Sequence, residues 1–213
     1  MDGNGRWATA QGLSRSRGHI AGARRAFELI EYLSRSEIET LSLFAFSCEN
    51  WQRPPSEVQL LMRLLAYALE ERARDLAGWG VRLRVIGARE GLPAAVVAAI
   101  ARVEAMTCRG SALELVLAVN YSGQWDICQA VQRGGPTPEA IARNLSCGNP
   151  DLIIRTGGET RLSNFFLWQA AYAELHFSDL FWPEFTAADL EHHLVKYRAT
   201  DRRYGRVACQ TRS

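Results

Sequence analysis

An α/β sandwich on a mostly parallel sheet is the fold class this sequence predicts, and three observations predict it. Short apolar runs alternate with longer segments of helical periodicity from one end of the chain to the other. The polar, glycine-containing stretches follow the apolar runs, as loops do at strand ends. With 213 residues, 47% of them hydrophobic, the chain can bury one core, so residues 1–213 read as a single domain. No repeat, low-complexity tract or linker divides it.

After an opening Asp-Gly-Asn-Gly turn, residues 18–33 space Ile20, Ala23, Phe27, Ile30 and Tyr32 as a helix, and residues 41–46 form a short buried strand. A long helix over residues 57–79 follows Pro54-Pro55-Ser56, with Ser56 as N-cap and Leu61, Leu64, Leu65 and Ala68 on one apolar face. Strands at 81–86 and 113–119 flank an alanine-rich helix at 93–106. A helix then follows Trp125, a Gly-Gly-Pro-Thr-Pro surface loop occupies 134–138, residues 151–154 make a short strand, and residues 186–198 a closing helix.

A net charge of +2 from 25 basic and 23 acidic residues spread along the chain gives no basic stripe, so nucleic acid is not expected as a partner. All the basic residues but Lys196 are arginine, which suits bidentate phosphate contacts but also accompanies the Ala, Gly and Leu of GC-rich codon usage. Five dispersed cysteines without a C-x-x-C pair fit a reducing cytoplasm. The opening residues do not read as a signal peptide, and apolar stretches such as 113–119 are too short to cross a bilayer, so membrane contact is expected to be peripheral at most.

Three segments carry chemistry. Residues 1–7 combine two glycines, whose backbone N–H groups can face an anion, with Asp2 for a divalent cation and Arg6 for phosphate, although D-G-N-G is equally a tight-turn sequence. Residues 46–53 follow a strand and offer Ser47, Asn50 and Arg53, or else a polar loop anchored by Trp51. Residues 155–163 follow another strand with Arg155, two glycines, Arg161 and Ser163, and Glu174 adds a second carboxylate. Three anion-suited loops at strand ends together point to a ligand phosphorylated at two places.

The stretches MDGNGRWA, FSCENWQRP, NYSGQWDI and RTGGETRLSNFFLWQAAYAELHFSDLFWPEF resemble successive signature segments of the cis-prenyltransferases, of the undecaprenyl diphosphate synthase type, from residue 1 to about residue 205. The resemblance implies a homodimer with a six-stranded parallel sheet flanked by helices, and an apolar tunnel. It also implies a Mg²⁺-dependent transferase that joins isopentenyl diphosphate to an allylic diphosphate such as farnesyl diphosphate, giving a Z-configured polyprenyl diphosphate. By the same resemblance Asp2 is the essential metal-associated carboxylate, and Gly3, Asn4, Gly5, Arg6, Trp7, Arg15 and His19 form the allylic diphosphate cradle. Ser47, Cys48, Glu49, Asn50, Trp51 and Arg53 resemble a mobile closing loop, with Asn50 assisting proton removal. Arg155, Arg161, Leu162 and Ser163 resemble the isopentenyl diphosphate clamp, and Glu174 a second metal carboxylate.

Relatives place a buried strand directly before MDGN, so a strand of at least ~6 apolar-rich residues is expected upstream of Met1. Cys48 and Gln124 depart from the residues usual in these motifs, and the segment between Asp126 and Asp151 is short for the family. Small Ala45, with Leu113 at the tunnel's far end, implies products longer than C15. A phosphotransferase with Asp2 as nucleophile, an irregular coupling enzyme and a non-catalytic partner subunit are the rival readings. His192 and His193 read as solvated surface. Trp79, Trp125, Trp168 and Trp182 read as core or dimer packing, and residues 202–205 as a tail that approaches a partner's site or frays.

Overall fold

The computed structural model describes residues 1–200; the tail at 202–205 lies outside the described residues. Helices α1 (Asn4–Ala10) and α2 (Arg15–Leu33) precede strand β1 (Thr40–Ser47), a 3-10 turn (Cys48–Gln52) and the long helix α3 (Pro55–Gly78). Strand β2 (Val81–Ile86), helix α4 (Ala94–Thr107), strand β3 (Leu113–Tyr121) and helices α5 (Gly123–Gly134) and α6 (Pro138–Asn144) follow. The chain then forms β4 (Leu152–Arg155), β5 (Glu174–Phe177) and α7 (Ala187–Ala199).

All pairings are parallel, as the alternation predicts. Strand β3 lies between β1 and β2 and is buried on both faces, which is why it is apolar almost without interruption. Of the six parallel strands expected, one of them upstream of Met1, the described residues form five, as a three-stranded sheet, β1-β3-β2, and a separate pair, β4-β5. Every residue of β1 and of β4 lines one cavity of about 1070 Å³, so the unpaired edges of these two strands look into a shared space instead of bonding to each other.

Local differences from expectation have local causes. The Asp-Gly-Asn-Gly segment is the start of a helix: Gly3 caps α1 with φ 99°, a conformation that favours glycine. A Cβ on Gly18 would stand 2.0 Å from the Asn4 carbonyl oxygen, so the missing side chain is what lets α1 lie directly on α2. Helix α3 starts at Pro55 with Pro54 as N-cap, so Ser56 falls inside the first turn; proline fits there because its absent N–H would have had no helical partner. Within α2, Leu29, Ile30 and Leu33 are buried, whereas Ile20 and Tyr32 are exposed. The end of the 134–138 break is a helix cap, with Thr137 accepting from the Ala140 N–H at 3.2 Å.

The short segment after α5 is tied down by Asp126, which is wholly buried. One carboxylate oxygen accepts from the Tyr121 hydroxyl at 2.9 Å and the Gln169 amide at 3.0 Å, the other from the Ser146 N–H at 3.0 Å and hydroxyl at 2.6 Å. Burial and the adjacent carboxylate push the Tyr121 hydroxyl well above the ordinary phenol range, so it remains a donor. Asp126→Ala would strand four donors in the interior. The expected loss is about 3 kcal/mol or more in urea unfolding; a loss under about 1 kcal/mol would show that water satisfies these groups.

Candidate functional site

The cavity between β1 and β4 is polar at the strands' carboxyl ends and apolar behind them. Asp2 organises its mouth. The Asp2 N–H donates to Thr156 Oγ1 at 3.0 Å, and the Thr156 hydroxyl donates back to the Asp2 carbonyl at the same distance, fixing the first residues to the end of β4. One Asp2 carboxylate oxygen accepts from the Gly3 N–H at 2.6 Å. The other accepts from Arg155 at 2.9 Å and lies 3.4 Å from Arg6. Partial burial would raise the Asp2 pKa, but these donors and charges outweigh it and hold the group below its ordinary 3.8.

Arg155 also donates to Ser163 Oγ at 2.7 Å and to the Arg161 carbonyl, which brings these three residues of the 155–163 segment together. Glu159, which sequence reasoning passed over, takes a 2.6 Å hydrogen bond from Arg161 and lies 3.6 Å from Arg6. A second cluster forms where α2 meets α3. Glu57 receives Arg15 through two nitrogens at 3.2 and 3.3 Å, Arg53 at 3.1 Å, and lies 3.4 Å from His19. Its one sequence signal is the i,i+4 spacing from Arg53 on the first turn of α3. Partial burial would raise its pKa, yet Arg15, Arg53 and His19 hold it below 4.5. Burial holds His19 below 6.5, with Arg53 and Arg15 adding to the effect against Glu57.

Of the predicted residues, Asp2, Gly3, Asn4, Gly5, Arg6, Arg15, His19, Ser47, Asn50, Arg53, Arg155, Arg161, Leu162 and Ser163 all line the cavity. Trp7, Cys48, Glu49 and Trp51 do not. Trp51 instead packs edge-on against Phe46 and donates to Asn120 Oδ1 at 2.8 Å, the anchoring role allowed for it. Glu174 does not lie beside Asp2 within one chain. Because β4 and β5 are parallel, Glu174 sits opposite Leu152 at their entering ends, whereas Asp2 bonds Arg155 at the leaving end. Glu174 contacts His176 Nε2 at 2.7 Å and the Thr200 hydroxyl at 3.2 Å. His193 likewise is not plain surface, since its Nδ1 lies 3.1 Å from that of His176 and its ring stacks on Phe185. Trp182 and Trp79 pack in or against the core, as read.

The apolar part of the cavity is lined by Leu29 and Leu33 of α2, Leu43 and Ala45 of β1, and Leu61 of α3. Leu64, Leu65 and Ala68 of the α3 apolar face, and Leu113, expected at the tunnel's far end, are not part of this lining; Leu113 is almost wholly buried in the sheet. The far floor is charged, with Arg84 bonded to Glu114 at 3.1 Å and Glu37 and Glu39 nearby on the lining. Among the described residues no group of three or more His, Cys, Asp or Glu forms a ready-made metal cage. A single accessible carboxylate, Asp2, does fit a Mg²⁺ ion that arrives with phosphate oxygens and keeps part of its water.

The undecaprenyl diphosphate synthase prenyltransferase family model matches residues 1–205. The isoprenyl transferase 1 of Bradyrhizobium diazoefficiens is 47% identical over 96% of this chain and 87% of its own length. The ditrans,polycis-undecaprenyl-diphosphate synthase, (2E,6E)-farnesyl-diphosphate specific, of Escherichia coli K12 is 42% identical over the same shares. Lavandulyl diphosphate synthase from Lavandula x intermedia, solved with dimethylallyl diphosphate, superposes with a TM-score of 0.90 at 31% identity, covering 96% of this chain and 95% of that one.

The Glu57 cluster makes stability depend on pH in two consecutive windows. As pH falls, the unfolded chain takes up the His19 proton from about 6.5 and the Glu57 proton from about 4.5 before the folded chain does, so stability declines through each window in turn. Urea midpoints from about pH 8 to about pH 3 are expected to separate wild type from Glu57→Gln at neutral pH, the gap narrowing as pH falls below 4.5. A constant gap across that range would show that the Glu57 charge does not matter.

Proposed function

The chain belongs to the undecaprenyl diphosphate synthase family and is an isoprenyl transferase, condensing isopentenyl diphosphate with an allylic prenyl diphosphate to a Z-configured product; on that premise we propose how its residues divide the work. The observation that carries the assignment is the pairing of two arginine-bearing anion sites, Arg15-His19-Arg53 and Arg155-Arg161-Ser163, at the mouth of one apolar cavity with Asp2 between cavity wall and clamp. Arg6, Arg15, His19 and the backbone of Gly3 to Gly5 hold the allylic diphosphate. Arg155, Arg161 and Ser163 hold the diphosphate of isopentenyl diphosphate. Both contacts use guanidinium geometry matched to phosphate oxygens.

As the allylic C1–O bond breaks, negative charge grows on the departing diphosphate, and fixed guanidinium groups stabilise it without reorganising. The electron pair of the isopentenyl double bond forms the new bond to C1, and loss of a proton from the isopentenyl C2 restores neutrality. Asn50, on the turn after β1 and lining the cavity, is the residue assigned to assist that loss. Asp2 would hold a Mg²⁺ ion, which when bound would supply further positive charge against the leaving diphosphate. The leucines and Ala45 keep water from the cation-like carbon and receive the growing tail as a tunnel. A homodimer is supported by the edge strand β5, whose Leu175 and Phe177 are exposed beside Tyr172.

Incubation with labelled isopentenyl diphosphate and farnesyl diphosphate tests the reading: elongated products are expected, and branched coupling products or none would overturn it. Activity should require Mg²⁺. Asp2→Ala should lower kcat by about a hundredfold or more, in line with removal of one transition-state contact. A folded Asp2→Ala enzyme at the wild-type rate would remove Asp2 from the mechanism.

Chain length follows from the cavity wall. Ala45 leaves room where Leu would intrude, so the unmodified enzyme should extend farnesyl diphosphate beyond C15 and Ala45→Leu should shift products shorter. Mass analysis showing that wild type stops at C15 with isopentenyl diphosphate in excess would refute the open passage.

A further inference from the structure

Three loops meet on one side chain to which neither the sequence reading nor the mechanism above gives a role. Asn164 follows Ser163 in the loop after β4, and Ser163, Asn164 and Phe166 all have positive φ, at 49°, 65° and 48°. Three non-glycine residues in the left-handed region within four positions carry strain of about 1 kcal/mol or more each, so something must hold them there. The Asn164 amide does so through both of its N–H donors and its oxygen. Its nitrogen donates to Glu49 Oε1 at 2.7 Å and to Ser122 Oγ at 3.0 Å, while its oxygen accepts from the Gln124 N–H at 3.0 Å. The Asn164 carbonyl accepts from the Gly123 N–H at 2.7 Å.

These partners are not equivalent. Ser122 is the N-cap of α5, buried, and accepts from the Trp125 N–H; Gly123 is buried with Leu167 so close that a Cβ would stand 2.8 Å from its Cγ. That side is anchored to a helix of 12 residues. Glu49 is exposed and belongs to the 3-10 turn Cys48–Gln52, which carries Asn50 into the cavity. Partial burial would raise the Glu49 pKa, yet the Asn164 donor and the turn's own donors hold it below 4.5, so the bond is charge-assisted at neutral pH.

We propose that the Glu49–Asn164 hydrogen bond is a latch holding the Cys48–Gln52 turn against the loop that carries the Ser163 clamp, and that Asn164 is thereby a positioning residue for Asn50. The geometry argues for a latch and not a brace because one end is fixed by buried partners and the other is a solvent-facing carboxylate that can let go. Asn164 adjoins Ser163, so occupancy of the clamp by a diphosphate bears on the latch through a single peptide unit. The proposal rests on the site reading above.

The test is a polarity swap. In Asn164→Asp the two carboxylates face each other, while Asp keeps the tolerance of Asn for positive φ and still accepts from Gln124. In the double variant Glu49→Gln/Asn164→Asp the bond returns with donor and acceptor exchanged. Amide hydrogen exchange over residues 48–53 of the intact protein, with and without inorganic diphosphate, should rise about tenfold in Asn164→Asp and in Glu49→Ala, and return toward wild type in the double variant. kcat should follow the same order. Unchanged exchange in Asn164→Asp and Glu49→Ala, or a double variant no better than Asn164→Asp, would overturn the latch. If Asn164→Asp does not fold, Glu49→Ala at its exposed position decides alone. A wild-type enzyme without prenyl transfer would sink the functional reading, while the exchange measurement, which needs no turnover, still judges the latch.

Discussion

The attachment of Asp2 to the end of β4 is the constraint on which the site depends. Asp2 exchanges two backbone–hydroxyl hydrogen bonds with Thr156 and takes Arg155 on its carboxylate. Residues separated by more than 150 positions in sequence are thereby held at one point. Helix α1 then starts in a fixed direction and rests on α2 through Gly18, and α2 in turn presents Arg15 and His19 to Glu57 on α3. The Asp2 attachment thus helps set the distance between the two arginine clusters, together with the hydrogen bond from Trp182 Nε1 to the Gly22 carbonyl of α2 at 2.8 Å.

Carboxylates prepare the arginines for a ligand that is itself anionic. Arg15 and Arg53 converge on Glu57, Arg155 and Arg6 on Asp2, and Arg161 on Glu159. A guanidinium already ordered by a carboxylate loses less conformational freedom when it meets phosphate, and a positioned charge stabilises a developing one better than a mobile charge does. The carboxylates also limit mutual repulsion among the arginines and balance the net charge of the mouth.

The division of the sheet shapes the cavity behind that mouth. A central strand such as β3 satisfies its backbone on both sides, whereas β1 and β4 each have an edge toward the cavity. Leucines from α2, β1 and α3 make the middle apolar, and the Arg84–Glu114 pair closes the far floor with charge. The strand polarity puts Arg155 at the mouth and Glu174 at the opposite end, so the two carboxylates paired by sequence resemblance serve different surroundings within this chain.

The sequence by itself determined the parallel α/β class, the long helix, the strands at 81–86 and 113–121 to within two residues, and nearly all the side chains at the cavity mouth. It could do so because strand and helix periodicity are local, and because arginine, glycine and serine after a strand carry their chemistry in their own atoms. Tertiary structure alone decided that Asp-Gly-Asn-Gly opens a helix, since that depends on the contact of Asn4 with Gly18. It alone brought Glu57, Thr156, Glu159 and Asn164 into the site. Each is an ordinary polar residue in isolation, and each acquires its role from partners up to 154 positions away. The separation of Glu174 from Asp2 is likewise a matter of strand direction and register, which no spacing along the chain records.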